Sequence, residues 1–179
     1  MQQPVWHVIV LSVLTCLFYN FYWFYKNWRD LARHAASADE TSNPGLRAFN
    51  SISPLLRTIG LLVPVLQIYL PLTLVKGIAE LHPGESTFPR RHPLWASGLV
   101  IGFWIAFMFL GRLPGSLYLL SFLAAIPLAV SQSWLNDYWQ AVESKDVVVR
   151  QAFTVKELMV IIAGSMLLAL ILTRFIIGR

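Results

Sequence analysis

Residues 5–29 read VWHVIVLSVLTCLFYNFYWFYKNWR, an apolar and aromatic run from Val5 to Tyr25 that closes in Tyr22-Trp23-Phe24-Tyr25 and passes into the charges of Lys26 and Arg29. At 1.5 Å rise per residue, its 21 residues make a helix of roughly 30 Å, the thickness of the hydrocarbon core of a bilayer. Aromatic side chains followed by positive charge mark a span leaving the membrane on its cytoplasmic side. The stretch therefore predicts an integral membrane protein with its amino terminus outside and residues 26–50 in the cytoplasm.

Composition agrees with that class. Hydrophobic residues make up 56% of the 179 and charged residues 13%, and the mean hydropathy is +0.60, which a water-soluble domain of this size rarely carries. The net charge of +5 is no nucleic-acid footprint, because the basic residues flank apolar spans, where they meet anionic lipid. The first span lacks the basic n-region and small-residue cleavage site of a signal peptide and is expected to stay in place. One cysteine, Cys16, leaves no internal disulfide and no Cys-based zinc site.

Further along, Trp28 to Ala36 continues as a helix in which Asp30 is spaced to meet Arg33 or His34, and Ser37 to Gly45 reads as a polar loop. Apolar spans follow at 94–110, 117–135, where Pro127 predicts a kink, and 158–177, where Arg174 can snorkel to the headgroups. Gly111 to Ser116 is a tight turn between the first two, and Gln140 to Lys156 is a charged loop.

Residues 51–81 are ambiguous, since their apolar centre contains Pro64, Gln67 and Pro71. If they cross, there are five transmembrane helices, and eight basic residues lie inside against six outside. If they dip in and return, only Arg112, Arg174 and Arg179 lie outside, against eleven inside. The second division is the one the positive-inside bias expects. The predicted fold is all-α: a single polytopic domain of four full transmembrane helices plus a Pro-rich re-entrant or interfacial helical segment. Two small-residue stripes, Gly98/Gly102/Ala106 and Ala125/Ala129/Ser133, are spaced to pack the central hairpin.

Candidate contact residues for lipid or a partner are few. Asn136 and Asp137 lie between Trp134 and Trp139 at a span end, with Gln132 one turn below. Arg57, inside an apolar stretch, has the reach to pair with Asp137 or with lipid phosphate. His82, Glu85 and His92 flank a Pro-Gly step and are conceivable as a metal or acid–base group, although solvated loop residues are the commoner outcome. Trp6, Trp23, Trp28, Trp95, Trp134 and Trp139 fall near span ends, as aromatic belts do. The centres of the four spans carry no Asp, Glu, Lys, Arg or His, which disfavours coupled transport.

The run Val10 to Arg29, with Thr15 ahead of Tyr22-Trp23-Phe24-Tyr25-Lys26-Asn27, resembles the opening of an uncharacterised bacterial family of small membrane proteins. Asn50 to Arg57 and Asn136 to Trp139 share looser features with it. The resemblance implies a bacterial inner-membrane protein and brings no catalytic residue. The expectation is a non-enzymatic chain without cofactor or metal, acting as an accessory, assembly or membrane-organising subunit through anionic lipid and a protein partner or a second copy of itself. A small oligomeric channel lined by Asn20, Gln67, Tyr69 and Gln132 is the alternative, and a lipid-modifying enzyme using His82, His92 or Asp137 the third.

Overall fold

Helix α1, Val5–Leu14, stops in the middle of the stretch read as one continuous span, and helix α2, Tyr19–Ser37, starts after a break of four residues. A computed structural model describes residues 2–37, 44–50, 52–143 and 152–177. Lys145, Asp146 and Arg150, with the side chain of Arg174, lie outside the described residues.

The break is built from hydrogen bonds. Leu17 N donates to Ser12 O (2.7 Å) and Cys16 N to Val13 O (3.1 Å), which satisfies the last carbonyls of α1 in a Schellman pattern. That pattern needs a left-handed residue just past the helix, and here Cys16 (φ 51°) takes it, followed by Leu17 (φ 71°). Neither is glycine, so each costs about 1–2 kcal/mol in that conformation. Thr15 offsets part of this: its Oγ1 donates to Leu11 O (2.7 Å) and accepts from Tyr19 N (2.9 Å), closing one helix and opening the next.

The two helices then run back alongside each other. Ser12 Oγ donates to Asn20 Oδ1 (2.9 Å), and Lys26 Nζ to Gln3 Oε1 (3.3 Å). Partners at 12 and 20, then at 3 and 26, describe an antiparallel hairpin centred on 15–18. Gln3 and Lys26, expected on opposite sides of the membrane, share one end of the bundle. The aromatic cluster consequently packs inward. Trp23, Phe24 and Trp28 are fully buried, and Phe24 meets Trp104 edge-on at 5.5 Å.

Helices α3 (Pro44–Arg47), α4 (Pro54–Gly60) and α5 (Pro64–Leu81) follow. Ser53 caps α4 through Leu56 N at 3.4 Å, and prolines at the first helical position open both α4 and α5. Phe49 lies so close to Gly77 that a Cβ there would overlap its ring, and a Cβ on Gly60 would lie 2.7 Å from Leu70 Cδ1. The chain thus descends through α4 and returns through α5 to the end it started from. Pro71 sits within α5 without ending it.

The short α6 (Phe88–Arg91) leads into α7 (Pro93–Leu110), and after the Gly111 turn a 3₁₀ helix, Gly115–Ala124, runs straight into α8 (Ala125–Val142). Ten residues is long for a 3₁₀ helix. Pro127 falls in the first turn of α8, where its fixed φ suits the helix. It marks the change of helix type instead of the expected kink inside an α-helix. Helix α9, Val155–Ile177, lies against α1. A Cβ on Gly164 would approach Leu14 O at 2.5 Å, and His7 stacks on Phe153 at 4.1 Å.

All elements among the described residues are helical. Three helices are long and apolar enough to cross a membrane, namely Pro64–Leu81, Pro93–Leu110 and the composite Leu117–Val142. The outer surface agrees: Leu56, Leu62 and Val65 on α4–α5, Trp95 and Phe103 on α7, and Met159 and Met166 on α9 are all exposed, forming apolar surface that only lipid or a partner would cover. The small-residue stripes do not meet, because Gly98 and Gly102 have nothing within 4 Å of a Cβ and look outward. Of the tryptophans read as a belt, Trp95 and Trp6 are exposed, whereas Trp23, Trp28 and Trp139 are core residues.

Candidate functional site

At the Gln3 end of the bundle a chain of hydrogen bonds joins α2, α8 and the residues before α1. Gln132 and Asn136 are four apart on α8 and therefore share a face. Trp23 Nε1 donates to Gln132 Oε1 (2.8 Å), Gln132 Nε2 to Asn136 Oδ1 (2.8 Å), and Asn136 Nδ2 to the backbone carbonyl of Gln3 (2.9 Å). Gln3 then returns the chain to α2, its Nε2 donating to Tyr19 Oη (2.6 Å) and its Oε1 accepting from Lys26. Gln3 and Gln132 are buried, and each amide uses both its oxygen and its nitrogen, the condition under which buried polar groups stabilise. The network ties α2 and α8 to the residues before α1, as a clamp does.

Lys26 extends the clamp toward the surface. It approaches Asp30 at 4.0 Å, and Arg29 pairs with the same carboxylate at 3.0 Å. Asp30 thus meets Lys26, one turn before it, and its neighbour Arg29, in place of the expected Arg33 or His34. His34 turns toward α8 instead, edge-on to Trp139 at 5.1 Å and to Tyr138 at 5.9 Å. Burial there pushes the His34 imidazole below its ordinary value, and Glu143 partly opposes the shift.

A second polar contact lies where α5 ends. His82 Nδ1 accepts from Gly84 N (3.2 Å), which leaves the proton on Nε2, 3.4 Å from Asp137 Oδ2. Thr87 Oγ1 lies 3.1 Å from Nδ1 and donates to Gly84 O (2.6 Å). Asp137 is half exposed, so the pair forms at the rim of the bundle. His92 caps the start of α7, and among the described residues no three His, Cys, Asp or Glu side chains group as metal ligands.

The four contact residues read from the sequence therefore part company. Asn136 is built into the clamp, Asp137 meets His82 and not Arg57, and Trp139 packs inside against His34. Arg57 lies half-buried on α4. Sequence reasoning missed Gln3, Tyr19 and Trp23, whose roles depend on the fold-back at Thr15. The i,i+4 spacing of Gln132 and Asn136 was the one available signal.

A third polar feature is a cavity between the tips of the two hairpins and α7. Leu17, Asn20, Leu61, Gln67, Trp104 and Met108 are among its walls. Asn20 and Gln67, read as possible channel lining, meet here, whereas Gln132 belongs to the clamp and Tyr69 faces outward.

No curated protein and no solved structure matches the chain. The model of a family described as a domain of unknown function, DUF4234, matches residues 3–112, from the clamp's Gln3 through both hairpins and α7 to the following turn. That is more than half of the sequence, and the chain belongs to this family.

Proposed function

We propose that the chain is a non-enzymatic, membrane-organising or accessory subunit of a bacterial inner membrane, acting through lipid and protein contacts. The observation that carries this is the unequal build of the bundle. Helices α1 and α4 enter from the Gln3 end and turn back through α2 and α5 beside Trp104 and Met108 of α7, which in this reading makes the Gln3 end the broader one. A protein broader in one leaflet than in the other favours a membrane curved to match.

Charge supports this role. Lys26, Arg29 and Arg33 on α2, Lys76 on α5, and Arg90 and Arg91 just before α7 lie toward the Gln3 end, whereas Arg112 lies at the opposite turn. The positive-inside bias assigns that end to the cytoplasm, with anionic headgroups as the complementary surface. The amino terminus then lies inside with residues 26–50, a reversal of the orientation expected for an unbroken first span.

Full-length protein reconstituted with vesicles of about 30 nm and about 200 nm diameter provides the test, with anionic and zwitterionic lipid compared. Enrichment on small anionic vesicles, reduced when Arg29, Arg33 and Arg90 are changed to Gln, is expected. Equal partition between sizes and compositions would sink the proposal.

A further inference from the structure

Arg57 is a charge set in an apolar hairpin. It lies half-buried on α4, while Leu56 and Ile59 beside it and Val65 and Ile68 on α5 are exposed. Among the described residues none gives its guanidinium a hydrogen bond or an ion pair, and Tyr69 of α5 lies within electrostatic range. Tyr69 is itself 58% exposed, and its hydroxyl has no hydrogen-bond partner among the described residues.

The depth of this pair follows from the packing of the hairpin. Gly60, one turn beyond Arg57 on α4, faces Leu66 and Leu70 of α5. Arg57 is therefore about level with Pro71, ten residues before Leu81, where α5 ends. Since α5 is long and apolar enough to cross, Arg57 stands roughly 15 Å from the Gln3 end, near the middle of a hydrocarbon core about 30 Å thick. A guanidinium at that depth is unfavourable unless it is paired. Its fork of donors matches a carboxylate, which takes two parallel bonds and keeps lone pairs for the Tyr69 hydroxyl.

Two sources of an anion fall away. Headgroup phosphates lie outside the core, beyond the reach of a side chain rooted near its middle. None of the nine acidic residues of the chain falls in the apolar runs 5–25, 51–75, 94–110, 117–135 or 158–177, so a second copy brings no carboxylate to this depth.

We propose that Arg57, with Tyr69 beside it, pairs inside the bilayer with an Asp or Glu in the apolar run of a partner subunit's transmembrane helix, laid along α4 and α5. The inference rests on the reading of the chain as an accessory or assembly subunit and names the chemistry of the subunit it joins. Partition between vesicle sizes does not read Arg57, so the curvature role and this pairing can fail separately.

Full-length protein in nanodiscs of zwitterionic lipid is titrated with a synthetic transmembrane peptide of about 22 Leu and Ala residues carrying one central Glu, and association is read by energy transfer between dyes. The Glu peptide is expected to bind about tenfold tighter than its Gln counterpart, and Arg57→Gln to erase that preference. In the unaltered protein, whose folding is not in question, moving the Glu to the last turn of the peptide is expected to erase it too. Equal binding of the Glu and Gln peptides, or a preference that survives Arg57→Gln, would overturn the proposal. Loss of bound phosphatidylglycerol from Arg57→Gln without any Glu preference would overturn it as well, and would assign Arg57 to a lipid phosphate.

Discussion

The side-chain amide of Asn136 donates to the backbone carbonyl of Gln3 across 2.9 Å of space and 133 positions of sequence. Nothing local brings these residues together. The contact exists because α1 turns back at Thr15, which keeps residue 3 at the end of the bundle where α8 finishes. It fixes the position of the first hairpin against the central one.

Replacing Asn136 by Leu removes that bond and leaves Gln132 Nε2 without its acceptor. Loss of a buried hydrogen bond with one partner stranded costs about 1–3 kcal/mol, and a lower thermal midpoint in detergent is expected. Trp23→Phe strands the other end of Gln132. Because the two changes act on one network, their combined effect falls short of the sum, and a double-mutant cycle measures the shortfall. Strict additivity would mean that the network does not act as a unit.

The left-handed turn makes a prediction of opposite sign. Cys16→Gly relieves a residue held at φ 51°, and glycine adopts that conformation at no steric cost. A stability gain of about 1 kcal/mol is expected in the same melting assay, whereas Cys16→Val, branched at Cβ, is expected to destabilise. Had 5–25 been one helix, glycine would have been the harmful change.

Two glycines in long helices respond differently to a methyl group. Gly164→Ala drives a Cβ to 2.5 Å from Leu14 O and 2.9 Å from Thr15 Cα, a backbone clash expected to cost about 1–3 kcal/mol. Gly102→Ala meets nothing within 4 Å and is expected to leave the melting temperature unchanged or raise it slightly, since alanine is the better helix former. Equal sensitivity at the two sites would argue against the contact between α1 and α9.

How much of this was legible in the sequence depends on what kind of signal each feature leaves. Membrane class and the central hairpin around Gly111 were readable, since hydropathy and turn residues carry them, whereas the Pro-rich segment, expected to dip in or lie in the interface, contains in Pro64–Leu81 a helix long and apolar enough to cross. The break at Thr15 was not. Its residues Thr15, Cys16, Leu17 and Phe18 include no glycine or proline, and the left-handed pair is held by contacts to Ser12, Val13 and Tyr19 that only the folded chain supplies. Once that turn is missed, Trp23 and Trp28 look like a belt and Gln3 is expected at the far end of the bundle from Lys26. The clamp was half visible, because Gln132 and Asn136 announce a shared face but not what meets it.

The burial of His34 makes stability depend on pH in a stated direction. Its folded pKa is lowered, so above about 6.5 both folded and unfolded imidazoles are neutral and pH has no effect through this group. Below that value the unfolded chain binds the proton first, and stability falls until the folded imidazole titrates as well. Melting curves between pH 8 and pH 5 are expected to show the decline, and His34→Gln removes its share. An unchanged slope in the variant would assign the decline to other groups.

Topology is testable without a structure. In a Cys16→Ser background, single cysteines at Gly84 and Pro114 are treated with an impermeant thiol reagent in intact cells, and a protease is offered a tag on the amino terminus. The tag and position 84 are expected to behave alike, and position 114 oppositely. A tag on the side of position 114 would restore the unbroken first span.

The fold-back of the first hairpin also sets an order of events during synthesis. Gln3 meets Asn136, His7 meets Phe153 and Leu14 faces Gly164, so residues of α1 and those just before it find partners that are made more than a hundred residues later. Until α8 and α9 emerge, α1 has only α2 to cover it. Contacts of such long sequence separation form slowly, so the hairpin of α1 and α2 has to wait for α8 and α9 before it can settle.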